Sequence, residues 1–257
     1  RRGGNLYAMP FQMDVGMFFS LKECNWNGDF TSIEQLDKSN GEQETAIYDD
    51  DRDEMICSLM ELIRYMDNDI QGALELYRKI YHSEKGGRLY VEAFKKGDIP
   101  IMRAWSSVIP ALRGESSTVA GEFQIHNAPQ SSSGLETASA KVFGFAISAL
   151  STQPENCEKF IAYCSRENVQ IELVKRTGVY PVRQSLYHNP TISGTWGHIS
   201  EMEQRILQVQ LRPHTPGYVE RARLLQEDLE EYLTGSLPVQ QAADRTAKFL
   251  NPEIENE

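Results

Sequence analysis

The chain has 257 residues, 40% hydrophobic and 25% charged. That suffices for one large α/β unit or two modest lobes, and the composition excludes disordered, collagen-like and membrane-spanning classes. The 26 basic and 37 acidic residues leave a net charge of −11, which argues against a nucleic-acid partner and for a neutral or weakly charged ligand.

Leu6 to Phe19 is rich in aromatic and apolar residues, interrupted by Pro10 and by Asp14-Val15-Gly16, and predicts strand, crossover, strand. From Cys24 to Arg52 the chain is polar, with a short helix start at Thr31-Ser32-Ile33-Glu34 and a loop at Asp49-Asp50-Asp51. Apolar residues at three- and four-residue steps then predict helices from Met55 to Met66 and from Ile70 to Tyr81, with a shorter one from Leu89 to Lys96. Gly97-Asp98 ends the last of these, and Ile99-Pro100-Ile101-Met102 predicts a buried strand that delivers Arg103-Ala104-Trp105 to its C-terminal end. Ligands commonly meet open α/β sheets at such ends.

Glu122 to Ala128 and Lys141 to Ser148 are extended runs separated by a Pro/Ser/Gly loop. Pro154 suits the first turn of a helix containing Cys157, Phe160, Ile161 and Cys164, and a second helix runs through Val169 and Leu173 to a stop at Gly178. Three further helices are predicted: Ile199 to Leu211, Pro216 to Thr234, and Ser236 to Leu250, the last with Ser236 as its cap and Pro238 in its first turn.

The four cysteines lack metal-site or redox spacing. Cys157 and Cys164 share a helix face about 10 Å apart, beyond disulfide reach, and predict buried thiols; the sequence leaves Cys24 and Cys57 undecided. The five histidines, His82, His126, His188, His198 and His214, show no ligand pattern, and Asp49, Asp50, Asp51 and Asp53 lack the turn glycine and terminal glutamate of a calcium loop. No metal or cofactor is expected. Nucleophile-elbow, zincin, phosphate-loop and dinucleotide fingerprints are all missing, so no enzymatic activity is expected either.

What remains is a set of aromatic and polar residues at strand ends and crossovers: Gln12, Asp14, Trp105, Phe143, Tyr180 and Tyr218. An aromatic face stacks on the C–H face of a sugar ring while carboxylates and amides hold its hydroxyls, a recognition that needs no catalyst. Core packing explains each of the six equally well when it is taken alone.

Five segments resemble, in order, motifs of bacterial extracellular solute-binding proteins, the sugar-binding subunits of ABC importers. They are Met9 to Phe19, Phe94 to Trp105, Phe143 to Ser148 with Pro154-Glu155 and Phe160-Ile161, Gly178 to Arg183, and Gly235 to Ala242. The resemblance implies an α/β, type II periplasmic-binding-protein-like fold of two lobes, with a largely complete, helix-rich C-terminal lobe and a partial N-terminal lobe. Residues 1–14 would be the crossover strand, 15–119 and 190–257 the C-terminal lobe, and 120–189 the returning part of the N-terminal lobe. Family members usually carry a longer stretch before the crossover, and the chain's abrupt opening fits a piece of such a protein.

By the same resemblance Trp105 is the stacking tryptophan, Phe143 a second aromatic and Asp14 a sugar-contacting crossover residue. Lys141-Val142 stands where Gly-Gly is common, and Ser106-Ser107 where Pro or an aromatic is frequent. The implied role is non-catalytic capture of a carbohydrate or similar polar solute, in the periplasm or outside the cell, for ABC permease subunits. The alternatives are a sensory or interaction module of a larger signalling protein and, with less support, a glycoside-acting enzyme.

Overall fold

The computed structural model describes residues 7–24, 26–32, 52–80, 87–194, 199–211 and 217–251. The acidic run Asp49-Asp50-Asp51, most of the polar stretch around it, His82, Trp196, His198, His214 and the tail 252–257 lie outside them. In chain order the elements are β1 (Met9–Leu21), α1 (Arg52–Tyr65), α2 (Ile70–Ile80), α3 (Gly87–Lys96), β2 (Ile101–Trp105), α4 (Ile109–Arg113), β3 (Phe123–His126), β4 (Ala140–Phe145), α5 (Pro154–Cys164), α6 (Glu167–Thr177), β5 (Tyr180–Pro181), α7 (Pro190–Ser193), α8 (Ile199–Ile206), α9 (Tyr218–Leu233) and α10 (Val239–Leu250). One-turn 3-10 helices occupy Ser106–Val108 and Gln184–Leu186.

The chain divides into two compact units. Unit 1 comprises Arg1–Val15, Trp105–Ala111 and Ala140–Gln208, and unit 2 comprises Gly16–Ala104, Leu112–Ser139 and Val209–Glu257. The first boundary between these units falls beside Asp14, and three stretches divide differently from the lobes implied by the resemblance. Residues 120–139 belong to unit 2 because Phe123–His126 pairs with Phe18–Leu21. Residues 190–208 belong to unit 1, where Glu203 accepts hydrogen bonds from Gln184 and His188. Trp105–Ala111 also joins unit 1.

β1 is one strand of 13 residues rather than two strands about a crossover. Pro10 is tolerated because it sits next to a register shift between Pro10 and Gln12, where the ladder does not need its missing donor. In unit 1, β4 runs antiparallel to β1 from Met9↔Phe145 to Val15↔Ala140, and β5 takes the opposite edge through Gln12↔Pro181 and Met13↔Tyr180. The shift leaves the Phe11 carbonyl off the ladder, and the fully buried Gln170 of α6 donates its Nε2–H to it at 3.0 Å. α6 ends as predicted at Gly178, whose φ of 73° is left-handed and whose N–H donates to Val174 O at 3.0 Å. A Cβ there would lie 2.7 Å from the Ser106 carbonyl oxygen, so a side chain would push β5 away from the turn after Trp105.

Unit 2 carries the larger core. Gly16 to Leu21 is flanked by β2 and β3, and α1, α2, α9 and α10 pack together beside this sheet. Phe19, Phe94 and Phe123 meet with ring centroids 6.3–6.5 Å apart. α1 stops where Asp67 and Asn68 turn left-handed, at φ 51° and 73°, and Asp69 Oδ1 accepts from Gly72 N to start α2. Met55, Ile56, Leu59, Leu62 and Ile63 form its buried stripe.

Within unit 2 a full ion pair is buried. Arg103 on β2 donates Nη2–H to Glu61 Oε1 at 2.7 Å, with both side chains 2% exposed, and the same oxygen accepts from Ser139 N at 2.9 Å. Gly16 makes the space: a Cβ there would sit 2.5 Å from Arg103 Nη2 and 2.7 Å from Glu61 Oε1. The glycine of the Asp14-Val15-Gly16 motif is therefore a steric requirement of the pair.

Two helix ends differ from the sequence reading. α8 stops at Ile206, since Gln210 leaves the helix to bridge Ser139, with its N–H on Ala138 O at 2.8 Å. α10 begins at Val239 with Pro238 at the cap position and no side-chain cap; Ser236 N instead donates to Glu231 O at 2.8 Å, closing the turn after α9. All four cysteines are free thiols; Cys57 and Cys164 are buried, whereas Cys157 is half-buried, because on α5 only Cys164 reaches a fully buried position.

Two outcomes are expected. Arg103→Met strands a buried carboxylate and costs about 3 kcal/mol or more in urea denaturation, whereas Arg103→Met combined with Glu61→Gln costs less than the single change. Burial holds the His126 imidazole, 2.7 Å from Ser20 Oγ, below its usual value of 6.5. Its contribution to stability is full above the unfolded-chain value and is lost as pH falls through the lower folded one. The thermal midpoint of the parent therefore drops more than that of His126→Gln between about pH 7.5 and 5.5, as followed by circular dichroism.

Candidate functional site

The register of β1 with its neighbours sorts the sequence-selected residues onto faces, because opposed residues in an antiparallel pair share a face and successive residues alternate. Gln12 stands opposite Phe143 and Asp14 opposite Lys141. These four side chains share one face of the unit 1 sheet. Met13, Val142 and Tyr180 take the other.

Trp105 joins the first group. It ends β2, and Lys141 Nζ lies 4.1 Å from the centroid of its ring. An ammonium at that distance is attracted by the negative face of the indole. Trp105 is 6% exposed, while Phe143 is 46% exposed at the sheet's rim. A buried, fixed indole and an open phenyl ring on one face make an apolar platform, with the amide of Gln12 and the ammonium of Lys141 as its polar groups.

Asp14 is what holds the Trp105 segment in place. Its Oδ1 accepts from Ser106 Oγ–H at 2.6 Å and from Ser107 N–H at 3.0 Å, and Ser106 Oγ in turn accepts from Val15 N–H at 3.4 Å. A carboxylate facing the first free N–H groups of a one-turn helix is favoured both by the hydrogen bonds and by the local dipole. Ser106-Ser107, which the sequence marks only as a departure from the family pattern, thus supplies both donors.

Tyr180 does not share the platform. It lies on the opposite face, 3% exposed, with its ring stacked on Tyr187 at 6.4 Å. Burial, then the Tyr187 phenol and the Asp14 carboxylate, push its pKa well above the usual 10, so the phenol stays protonated. Tyr218 belongs to unit 2, where it opens α9, half-buried, with its ring 5.9 Å from Phe249. Lys141 is the residue of this face that sequence reasoning passed over; its parity with Phe143 on an alternating strand was the available signal.

Unit 1 also holds an open, mostly apolar groove of about 790 Å3 lined by Tyr7, Met9, Ile147, Ile161 and Ala162, with Glu158 and Arg166 among its charged groups. None of the residues selected from sequence lines it. Among the described residues no three His, Cys, Asp or Glu side chains converge as a metal site, and no helix is long and apolar enough to cross a membrane.

Comparison with known proteins decides the lineage. Residues 2–198 match the family model described as bacterial extracellular solute-binding protein. The chain belongs to that family. Solved structures share the fold at low identity. Maltose-bound MalE3 of T. maritima superposes with a TM-score of 0.85 at 16% identity, over 96% of this chain and 72% of that one. The GacH receptor of Streptomyces glaucescens, solved unliganded and with acarbose, gives 0.81 at 18% identity, over 100% and 73%. An ABC transporter solute-binding protein of Agrobacterium vitis with bound D-mannitol gives 0.75 at 17% identity, over 100% and 75%. The α/β type II periplasmic-binding-protein class inferred from the motifs is therefore the fold of this solute-binding protein, and four of the five motif segments, from Met9 to Arg183, fall within the matched residues.

Replacing Asp14 tests its role as the holder of the Trp105 turn. Asp14→Ala should lower stability by about 2 kcal/mol in chemical denaturation, the usual worth of hydrogen bonds to a charged group, with Asp14→Asn losing less.

Proposed function

We propose that this solute-binding protein captures a carbohydrate or a closely related polar solute in the periplasm or at the cell exterior and passes it, chemically unchanged, to the permease subunits of an ABC importer. The observation that carries this reading is the platform of unit 1, where the indole of Trp105 and the ring of Phe143 share a sheet face with the Gln12 amide. Stacking against C–H faces with a few polar groups for hydroxyls suits a polyhydroxylated ring. The solutes named for the structural neighbours, maltose, acarbose and D-mannitol, are all of this chemical kind. Asp14 enters as the residue that positions Trp105. Tyr180 supports the sheet from its other face.

Isothermal titration of the parent and of Phe143→Ala against a panel of mono- and oligosaccharides and polyols tests the proposal. Binding at micromolar to sub-millimolar concentration is expected for a subset of the panel, weakened roughly tenfold in Phe143→Ala, the loss of one exposed stacking ring. Chromatography of the recovered solute should show it intact. Absence of binding across the panel at millimolar concentration, or release of a cleaved product, overturns the reading.

A further inference from the structure

One face of the Trp105 indole is covered by a side chain of the protein itself. Lys141 Nζ stands 4.1 Å from the ring centroid, and the ring as a whole is 6% exposed. We infer that Lys141 is the specificity-determining residue of this solute-binding protein, and that it selects a sugar carrying a carboxylate over its neutral counterpart. This rests on the carbohydrate reading above and names the substrate class of the same site.

A pyranose gains its stacking energy by bringing C–H groups to the face of an indole, and an ammonium already held there by the ring quadrupole must first be moved. A neutral sugar displaces that attraction and returns only hydroxyls to the ammonium. A sugar acid stacks in the same way and returns an anionic oxygen as well, replacing one charge-assisted contact by another. The exchange is therefore close to balanced for the acid and unfavourable for the neutral sugar.

The surroundings point the same way. Asp14, directly opposite Lys141 on β1, is the carboxylate of this face, and its Oδ1 is occupied by Ser106 Oγ–H at 2.6 Å and Ser107 N–H at 3.0 Å. It keeps the indole in place beneath the ammonium. The chain's net charge of −11 disfavours an anionic solute at long range, so selection of an acid would rest on a cation fixed at the contact itself, within the screening length. Lys141 provides one, on the same face as the exposed ring of Phe143 and the amide of Gln12.

The test is isothermal titration of the parent, Lys141→Met, Lys141→Arg and Lys141→Gly with matched pairs: D-glucose and D-glucuronate, D-galactose and D-galacturonate, D-mannose and D-mannuronate, and the trisaccharide of each. In the parent the acid of the recognised pair should bind about tenfold more tightly than the neutral sugar, an advantage of one charge-assisted contact. Lys141→Met, which keeps the length and removes the charge, should erase that ratio, and Lys141→Arg should keep it. Lys141→Gly, which uncovers the indole, should tighten the neutral sugar. Equal or tighter binding of the neutral member by the parent, with the same ratio in Lys141→Met, overturns the role of Lys141 and leaves carbohydrate binding standing. No binding of either member of any pair by any of the four proteins overturns both.

Discussion

Asp14 is 7% exposed in the middle of a strand, and a carboxylate at that depth persists only because donors meet it. Those donors are the hydroxyl of Ser106 and the amide of Ser107, the two residues after Trp105. Satisfying one buried charge therefore fixes the start of a helical turn and, with it, the orientation of the indole. The Lys141 ammonium over that indole and the neighbouring Phe143 inherit their geometry from the same strand register. Gly178 completes the arrangement by letting the chain pass close to the Ser106 carbonyl, where a Cβ would not fit.

Unit 2 solves the same problem by another route. Glu61 and Arg103 neutralise each other, and Ser139 N takes up further capacity of the carboxylate. Such a pair adds little stability over an apolar core of the same shape, because desolvation offsets much of the attraction. Its consequence is geometric. Only one placement of β2, α1 and the Ser139 segment satisfies all the groups, and Gly16 must lack a side chain for it to exist. Two residues apart in β1, Asp14 thus serves one unit and Gly16 the other, and the spacing of the motif follows from what each must accommodate.

The solutes named for two of the structural neighbours are maltose and D-mannitol, both uncharged. In the proposed site, Lys141 would change the terms on which such a solute is accepted. A ring seated on bare indole is selected by shape and stacking; one that must take the place of an ammonium is selected by charge as well. On β4 and α5, Phe143, Phe160 and Tyr163 stand 46–55% exposed.

Much of the architecture is local and was legible in the residues. The stripe from Met55 to Met66, the Gly178 stop and the strand running into Trp105 are periodicities and backbone preferences that neighbours in sequence settle among themselves. The ordered segments around Asp14, Trp105, Phe143 and Gly178 were enough to place the chain in its family. What the residues alone left open was everything decided across long sequence distances. β1 is continuous because ladder partners on both edges override the breaking tendency of Pro10 and Gly16. Residues 120–139 side with unit 2 because β3 finds Phe18–Leu21. Tyr180 falls on the far face because β5 pairs with Met13 rather than with Gln12 at that residue. Lys141 meets Trp105 although 36 positions separate them in the chain. Strand register and side-chain contact are pairings of remote segments, and only the folded chain, by burying one arrangement and excluding the others, selects among them.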